Sequence, residues 1–128
     1  MSRILVIDDD PHVSRLLVTV LERAGHEVRC LTDGKRALEH LAAWPASVLI
    51  TDMLMPGIDG IEIIMAIARD YPDVRIIAIS GGNASDVLAD ALLFGAHQVI
   101  EKPFGPRRLL DVVGQALGSP PTPPGEIT

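Results

Sequence analysis

Four apolar runs in this chain each end on a polar group. Arg3-Ile4-Leu5-Val6-Ile7 runs into Asp8-Asp9, and Ser47-Val48-Leu49-Ile50-Thr51 runs into Asp52. Val74 to Ile79 ends at Ser80, and Gln98-Val99-Ile100 continues through Glu101 into Lys102-Pro103. Short apolar runs separated by helical patterns read as parallel strands buried on both faces. In an open α/β sheet the ligand site lies just beyond the carboxyl ends of the strands. Three carboxylates, a hydroxyl and an ammonium are therefore expected at one edge of the sheet. That set suits a divalent cation and a phosphoryl group.

The segments between the runs carry helical patterns. Asp10-Pro11 reads as an N-cap followed by proline at the first helical position. Val13, Leu16, Leu17, Val20, Leu21 and Ala24 then recur at helical spacing until Gly25 ends the helix. His26 to Leu31 is the second strand. Asp33-Gly34 opens a helix with Ala37, Leu38, Leu41 and Ala42 inward, stopped before Pro45. Met53 to Gly60 is expected as a loop. A third helix turns Ile61, Ile64, Met65 and Ala68 to one face and ends before Pro72. A fourth spans about Ala84 to Phe94, and a last one, about Gly105 to Leu117, places Leu109, Val112, Val113, Ala116 and Leu117 inward. Five strand-then-helix repeats with right-handed crossovers predict a doubly wound (βα)5 fold, a five-stranded parallel sheet with helices on both faces. One domain covers residues 1–117. The stretch Gly118 to Thr128 holds four prolines, two glycines and almost nothing to bury, and reads as a disordered tail or linker.

Composition narrows the function classes. A net charge of −6 without a basic cluster argues against nucleic-acid binding by this domain. No apolar run approaches the length of a membrane span, and Met-Ser-Arg leads straight into a strand with no secretory h-region. Cys30, the one cysteine, lies in an apolar stretch and reads as a small buried hydrophobe. A reducing, cytoplasmic setting fits. His12, His26, His40 and His97 lack metal-ligand spacing and read as surface or packing residues. Trp44, Tyr71 and Phe104 read as packing or helix-end anchors.

The sheet edge needs a positive charge. Two carboxylates 4 Å apart repel by about 4 kcal/mol at an effective dielectric near 20. A site holding Asp8, Asp9 and Asp52 therefore calls for a hard cation, and Mg²⁺ is the expected one, completed by waters and the substrate's own phosphate oxygens. Lys102 adds a point charge suited to phosphate. Asp52 precedes a loop, Met53-Leu54-Met55-Pro56-Gly57, that frees backbone amides. A carboxylate with an ordinary pKa of about 3.9 is ionised at neutral pH and needs no general base to act as a nucleophile toward phosphorus. Ser80 offers a hydroxyl to a phosphoryl oxygen, and Gly81 lets the backbone approach closely. Taken singly, each group has an ordinary explanation: Asp8, Asp9 or Asp10 as a helix cap, Asp52 as a turn opener, Ser80 as a loop residue, Lys102 as solvated charge. Their coincidence at successive strand ends outweighs those explanations, except for Asp10, which is read as a cap.

With Asp8-Asp9, Asp52 followed by Met-Leu-Met-Pro-Gly-Ile-Asp-Gly, Ser80-Gly81 and Lys102-Pro103-Phe104 in order, the chain resembles the receiver domain of bacterial two-component response regulators over about Ser2 to Leu117. The resemblance implies strand order 2-1-3-4-5 and a cis bond between Lys102 and Pro103. It implies that Asp52 accepts phosphate from a sensor histidine kinase or a phosphotransfer protein, so that the chain catalyses only its own modification. Asp9, Asp52 and the main-chain carbonyl of Leu54 would bind Mg²⁺, or Mn²⁺ in its place, with Asp8 acting through water. Leu54, Ser80, Gly81 and Lys102 would hold the phosphoryl group. Signalling in the family couples the Ser80-type hydroxyl to an aromatic residue three positions before the lysine. Here that position is Val99, which cannot swing as a ring does. Output is then expected through helix four, strand five and helix five by a backbone shift of the Ser80 to Ala84 loop. The same face is a candidate homodimer surface, with Asp86 and Asp90 opposite Arg107 and Arg108. A downstream protein or a missing output domain would receive the signal. Leu54 and Gly82 offer no polar group to guide an attacking water, which predicts slow, unassisted dephosphorylation.

Three other readings compete. A haloacid-dehalogenase-type phosphatase would use Asp8 as nucleophile and Asp10 as acid/base, but it leaves Asp52 unexplained and lacks a later acidic pair. A flavodoxin-like cofactor binder needs a hydroxyl- and glycine-rich phosphate loop where this chain has three aspartates. A degenerate receiver acting only as a docking module would not need the full set of acidic, hydroxyl and lysine groups.

Overall fold

A computed structural model describes residues 2–55, 58–81 and 85–118. Five strands form the main sheet: β1 (Arg3–Ile7), β2 (Glu27–Leu31), β3 (Val48–Asp52), β4 (Arg75–Gly81) and β5 (Gln98–Lys102). The helices are α1 (Pro11–Arg23), α2 (Ala37–Ala43), α3 (Gly60–Asp70), α4 (Ser85–Phe94) and α5 (Pro106–Gly118). All neighbouring strands pair in parallel, in the order β2-β1-β3-β4-β5. The fold class and strand order are those expected. Residues 119–128, most of the expected tail, lie outside the described residues, as do Gly82 and Ala84.

Alternation along each strand sends successive side chains to opposite faces. Leu5, Ile7, Leu49, Ile76 and Ala78 meet Leu41, Ile64, Ile67, Leu88 and Ala91 beneath α2, α3 and α4. Ile4, Val6, Ile50, Ile77, Ile79 and Ile100 meet Leu17, Leu21, Leu109, Val112 and Val113 beneath α1 and α5. Every residue of β3 is buried, which is why its sequence is continuously apolar rather than alternating. Chain order reverses at the middle of the sheet: from β1 the chain moves outward to β2, and from β3 it moves the opposite way to β4 and β5. That reversal opens a crevice at the carboxyl ends of β1 and β3. Asp8 and Asp52 stand there.

Several local expectations change. Cys30 is exposed, not buried, because β2 is an edge strand and cover thins across it: Val28 on the same face is only half-buried. Asp33 does cap, accepting from the Lys35 N–H at 2.8 Å, but it opens a 3₁₀ turn, Gly34–Arg36, before the short α2. Ala42 and Ala24 face solvent. In α3 the inward stripe is Ile64 and Ile67, leaving Met65 on an exposed shoulder. Leu54–Met55 pairs antiparallel with Ile58–Asp59, so the expected loop contains a short ladder. Gly25, with φ of 96°, ends α1 in the left-handed region as glycine allows.

The aromatic anchors hold helix ends. Tyr71 Oη donates to the Leu38 carbonyl at 3.3 Å, tying α3 to α2. Trp44, just past α2, is buried beneath the guanidinium groups of Arg29 and Arg3, 4.7 and 5.5 Å from its ring centre. Among the described residues no helix is long and apolar enough to cross a membrane.

His97 closes the amino end of the β4–β5 pair. Its N–H donates to the Ile76 carbonyl at 2.8 Å, and its Nδ1 accepts the Ile76 N–H at 3.0 Å. Partial burial, reinforced by the positive charge of Arg75, lowers its pKa below the ordinary 6.5. The unfolded chain therefore takes up the proton first on acidification. The stabilisation is complete above pH 6.5 and is lost as pH falls from there through the folded pKa. His97→Asn keeps an acceptor at the Nδ1 position without a titrating group. We expect it to flatten the fall in unfolding midpoint between about pH 7 and pH 5. Part of the slope remains, because burial lowers the pKa of His26 as well.

Candidate functional site

Each cluster residue is carried by a strand end. Asp52 closes β3, Ser80 is the penultimate residue of β4, Lys102 closes β5, and Asp8 follows β1 directly. Asp8, Asp52 and Ser80 are buried, Lys102 is half-buried and Asp9 is open to solvent. Carboxylate oxygens of Asp8, Asp9 and Asp52 all lie within 4.8 Å of one another. Lys102 Nζ sits between two of them, 3.1 Å from Asp52 Oδ2 and 3.4 Å from Asp8 Oδ2. Of the five side chains expected at the sheet edge, the structure brings Asp8, Asp9, Asp52 and Lys102 together; Ser80 is buried near the carboxyl end of the adjacent β4.

Burial sets the electrostatics. Removal from water pushes the Asp8 carboxyl above its ordinary 3.8, and the neighbouring Asp52 carboxylate adds to the rise. The Asp10 N–H and the Lys102 ammonium oppose it. For Lys102, burial works against the ammonium. The Asp52 hydrogen bond and the two carboxylate charges outweigh it, and its pKa rises. Lys102 therefore stays protonated and serves as the site's internal cation.

The donor set fits a hard divalent ion. All three candidate ligands offer oxygen, as Mg²⁺ requires. Asp8 Oδ2 is buried with no hydrogen bond, while solvent-facing Asp9 leaves an approach. Ser80 Oγ is also buried and without a hydrogen-bond partner. A native structure rarely keeps such a group orphaned without a purpose. It has a free donor for an incoming oxygen.

Several contacts refine the sequence reading. The Leu54 N–H is not free: it donates to Asp52 Oδ1 at 3.0 Å and fixes that carboxylate's rotation. The Leu54 side chain stands 57% exposed beside it. Gly81 pairs with Lys102 across β4 and β5. A Cβ at position 81 would lie 3.1 Å from Lys102 Cβ, so the bare glycine gives the lysine stem its place. The Lys102–Pro103 peptide is cis. Val99, half-buried, pairs with Ala78 and packs on the α2–α3–α4 side of the core. Asp10 caps α1 by accepting from the His12 N–H at 2.9 Å. One oxygen of that carboxylate is thereby engaged in the cap role read for Asp10 from the sequence. One contact has no signal in the sequence. Ser14 Oγ donates to the Asp8 carbonyl at 3.1 Å, yet a serine at that point of α1 reads as part of the polar face.

Comparison with known proteins gives a consistent set. The family model described as response regulator receiver domain matches residues 4–114. CpdR, a response regulator receiver protein of Brucella abortus, is 37% identical over 117 residues, which cover 91% of this chain and 98% of that one. The nitrogen assimilation regulatory protein NtrX of Azorhizobium caulinodans is 34% identical over 116 residues. The chain spans only about a quarter (26%) of that protein's length. Among solved structures, the receiver domain of NtrX from Brucella abortus superposes with a TM-score of 0.87 at 30% identity, covering 91% of this chain and 99% of that one. The chemotaxis protein CheY4 of Vibrio cholerae superposes with a TM-score of 0.83 at 26% identity, covering 91% and 98%.

Proposed function

Since the chain belongs to the response regulator receiver domain family, we propose that it is a phosphoacceptor switch charged at Asp52 by a sensor histidine kinase or a phosphotransfer protein. The observation that carries this reading is the ammonium of Lys102 set between the buried Asp52 and Asp8 carboxylates, with an unpartnered, buried Ser80 hydroxyl near the end of the neighbouring strand. An Asp52 oxygen attacks phosphorus as the bond from phosphorus to the donor nitrogen breaks. The electron pair leaves with the imidazole, and no proton is taken from the carboxylate. The Leu54 N–H holds Asp52 Oδ1 in place, Lys102 meets charge on the transferring oxygens, and Ser80 donates to one of them. Asp9, Asp52 and the Leu54 carbonyl would hold Mg²⁺, with Asp8 reaching it through water. The ion supplies neutralisation of the phosphoryl charge. Such transfer depends mainly on positioning and charge stabilisation.

Lys102 and Ser80 lie on the strands that border α4 and α5, so their re-pairing with a phosphoryl group biases a two-state equilibrium of that face. Val99 supplies no ring to relay the change. Output runs instead through the backbone after Ser80 to helix four, strand five and helix five, where a second copy or a downstream protein would bind. Hydrolysis is slow, because the apolar Leu54 side chain guides no water to phosphorus.

The test is to incubate the chain with acetyl phosphate, with and without Mg²⁺, and map the label by mass spectrometry. Label on Asp52 that disappears with a metal chelator is expected, together with amide shift changes between Ala84 and Leu110. Label on Asp8, or unchanged amides on adding a phosphoryl mimic, sinks the reading.

A further inference from the structure

Asp8 is the buried member of the acidic cluster that stands just past its strand rather than within one. β1 ends at Ile7; the Asp8 N–H still donates to the Leu31 carbonyl at 3.0 Å, but its own carbonyl has left the ladder. That carbonyl accepts from Ser14 Oγ at 3.1 Å, a hydroxyl reaching back six positions from α1. Further links close the same turn. The Asp10 N–H holds Asp8 Oδ1 at 2.9 Å, and the Ser14 N–H donates to the Asp10 carbonyl at 3.0 Å. The turn also carries three consecutive aspartates, whose mutual repulsion favours splaying them apart. A buried carbonyl must keep a partner, and Asp8 is 1% exposed. Without the hydroxyl, the peptide after Asp8 is free to rotate toward water. Such rotation would shift Asp9 and the Asp10 N–H that fixes Asp8 Oδ1, and so spoil the aim of the carboxylate at the place shared with Asp9 and Asp52.

We infer that Ser14 is a positioning residue of the metal site: its hydroxyl, by holding the Asp8 carbonyl, aims the Asp8 carboxylate at the place shared with Asp9 and Asp52. Ser14 touches neither ion nor phosphoryl group and acts only through Asp8. The inference rests on the proposed Mg²⁺-dependent reading of the site. Groups that orient metal ligands usually matter for affinity even though they never touch the ion. A single neutral hydrogen bond of this kind corresponds to about a three- to tenfold effect.

The experiment is calorimetric titration of Mg²⁺ into the full chain, as wild type and as Ser14→Ala, Ser14→Thr and Ser14→Val. Thermal unfolding of each is followed in parallel in chelator. Threonine keeps the hydroxyl, and valine copies its shape without the donor. We expect Kd for Mg²⁺ to rise about three- to tenfold in the alanine and valine variants, and to stay within about twofold of wild type with threonine. A merely structural role would lower the unfolding midpoint and leave Kd alone. That result, or a threonine variant no better than valine, overturns the inference while wild-type binding leaves the parent reading standing. Absence of Mg²⁺ binding by the wild-type chain overturns both.

Discussion

Asp52→Asn is expected to abolish the phosphoryl uptake from acetyl phosphate that the proposed function assigns to Asp52 in the wild-type chain. The carboxamide is neutral and a poor nucleophile, and no neighbouring group can replace it. Asp8 directs one oxygen to the Asp10 N–H and the other toward Lys102, and Asp9 faces solvent. The fold should survive, since the Asn carbonyl can still accept the Leu54 N–H that Asp52 Oδ1 accepts at 3.0 Å. Loss of a covalent nucleophile removes the reaction path itself, so uptake should fall to background rather than by a measurable fraction. Intact-mass measurement after incubation checks this. Modification of the variant at wild-type stoichiometry would refute the assignment.

Lys102→Met should produce the largest change in the metal-free chain. The methionine removes the cation from between two buried carboxylates, leaving Asp8 and Asp52 to repel across a poorly hydrated crevice. Breaking a buried pair by deleting one partner typically costs 3–5 kcal/mol. The Lys102 side chain keeps 23% of its exposure, so about 2–4 kcal/mol is expected here. Asp8 gives the loss a direction with pH. Its folded pKa lies above 3.8, chiefly through burial. Its charge therefore costs stability at neutral pH, and that cost is relieved as pH falls through the folded value. The deficit of the variant should accordingly shrink on acidification. Saturating Mg²⁺ should also restore much of it, by binding the native state alone. Urea unfolding of both chains, with and without Mg²⁺ and at two pH values, measures each part. Equal midpoints in chelator at neutral pH would show that the ammonium does not hold the site together.

The strand ends were legible because burial on both faces makes parallel strands apolar throughout, so Asp52 and Ser80 stand out where those runs stop. The helices were legible as periodic stripes, but their edges were not. Met65 and Ile67 fit the same pattern about equally well, and only packing into the core beneath α2, α3 and α4 decides that Ile67 goes in. Cys30 misled because composition cannot distinguish an edge strand from a central one. The hydroxyl of Ser14 and the amide of Leu54 were invisible for a different reason. Both act through single hydrogen bonds whose partners are fixed by the turn of the backbone rather than by residue type.

Trp44 has a practical consequence. The lone indole of the chain lies before the amino end of β3, whereas Asp52 is at that strand's other end. At about 3.3 Å per residue, five residues of strand put them some 15 Å apart. Clamped under two guanidinium groups and remote from the chemistry, its emission should barely change when the acceptor is charged. Real-time assays of the proposed phosphorylation will need a fluorophore introduced beside the crevice.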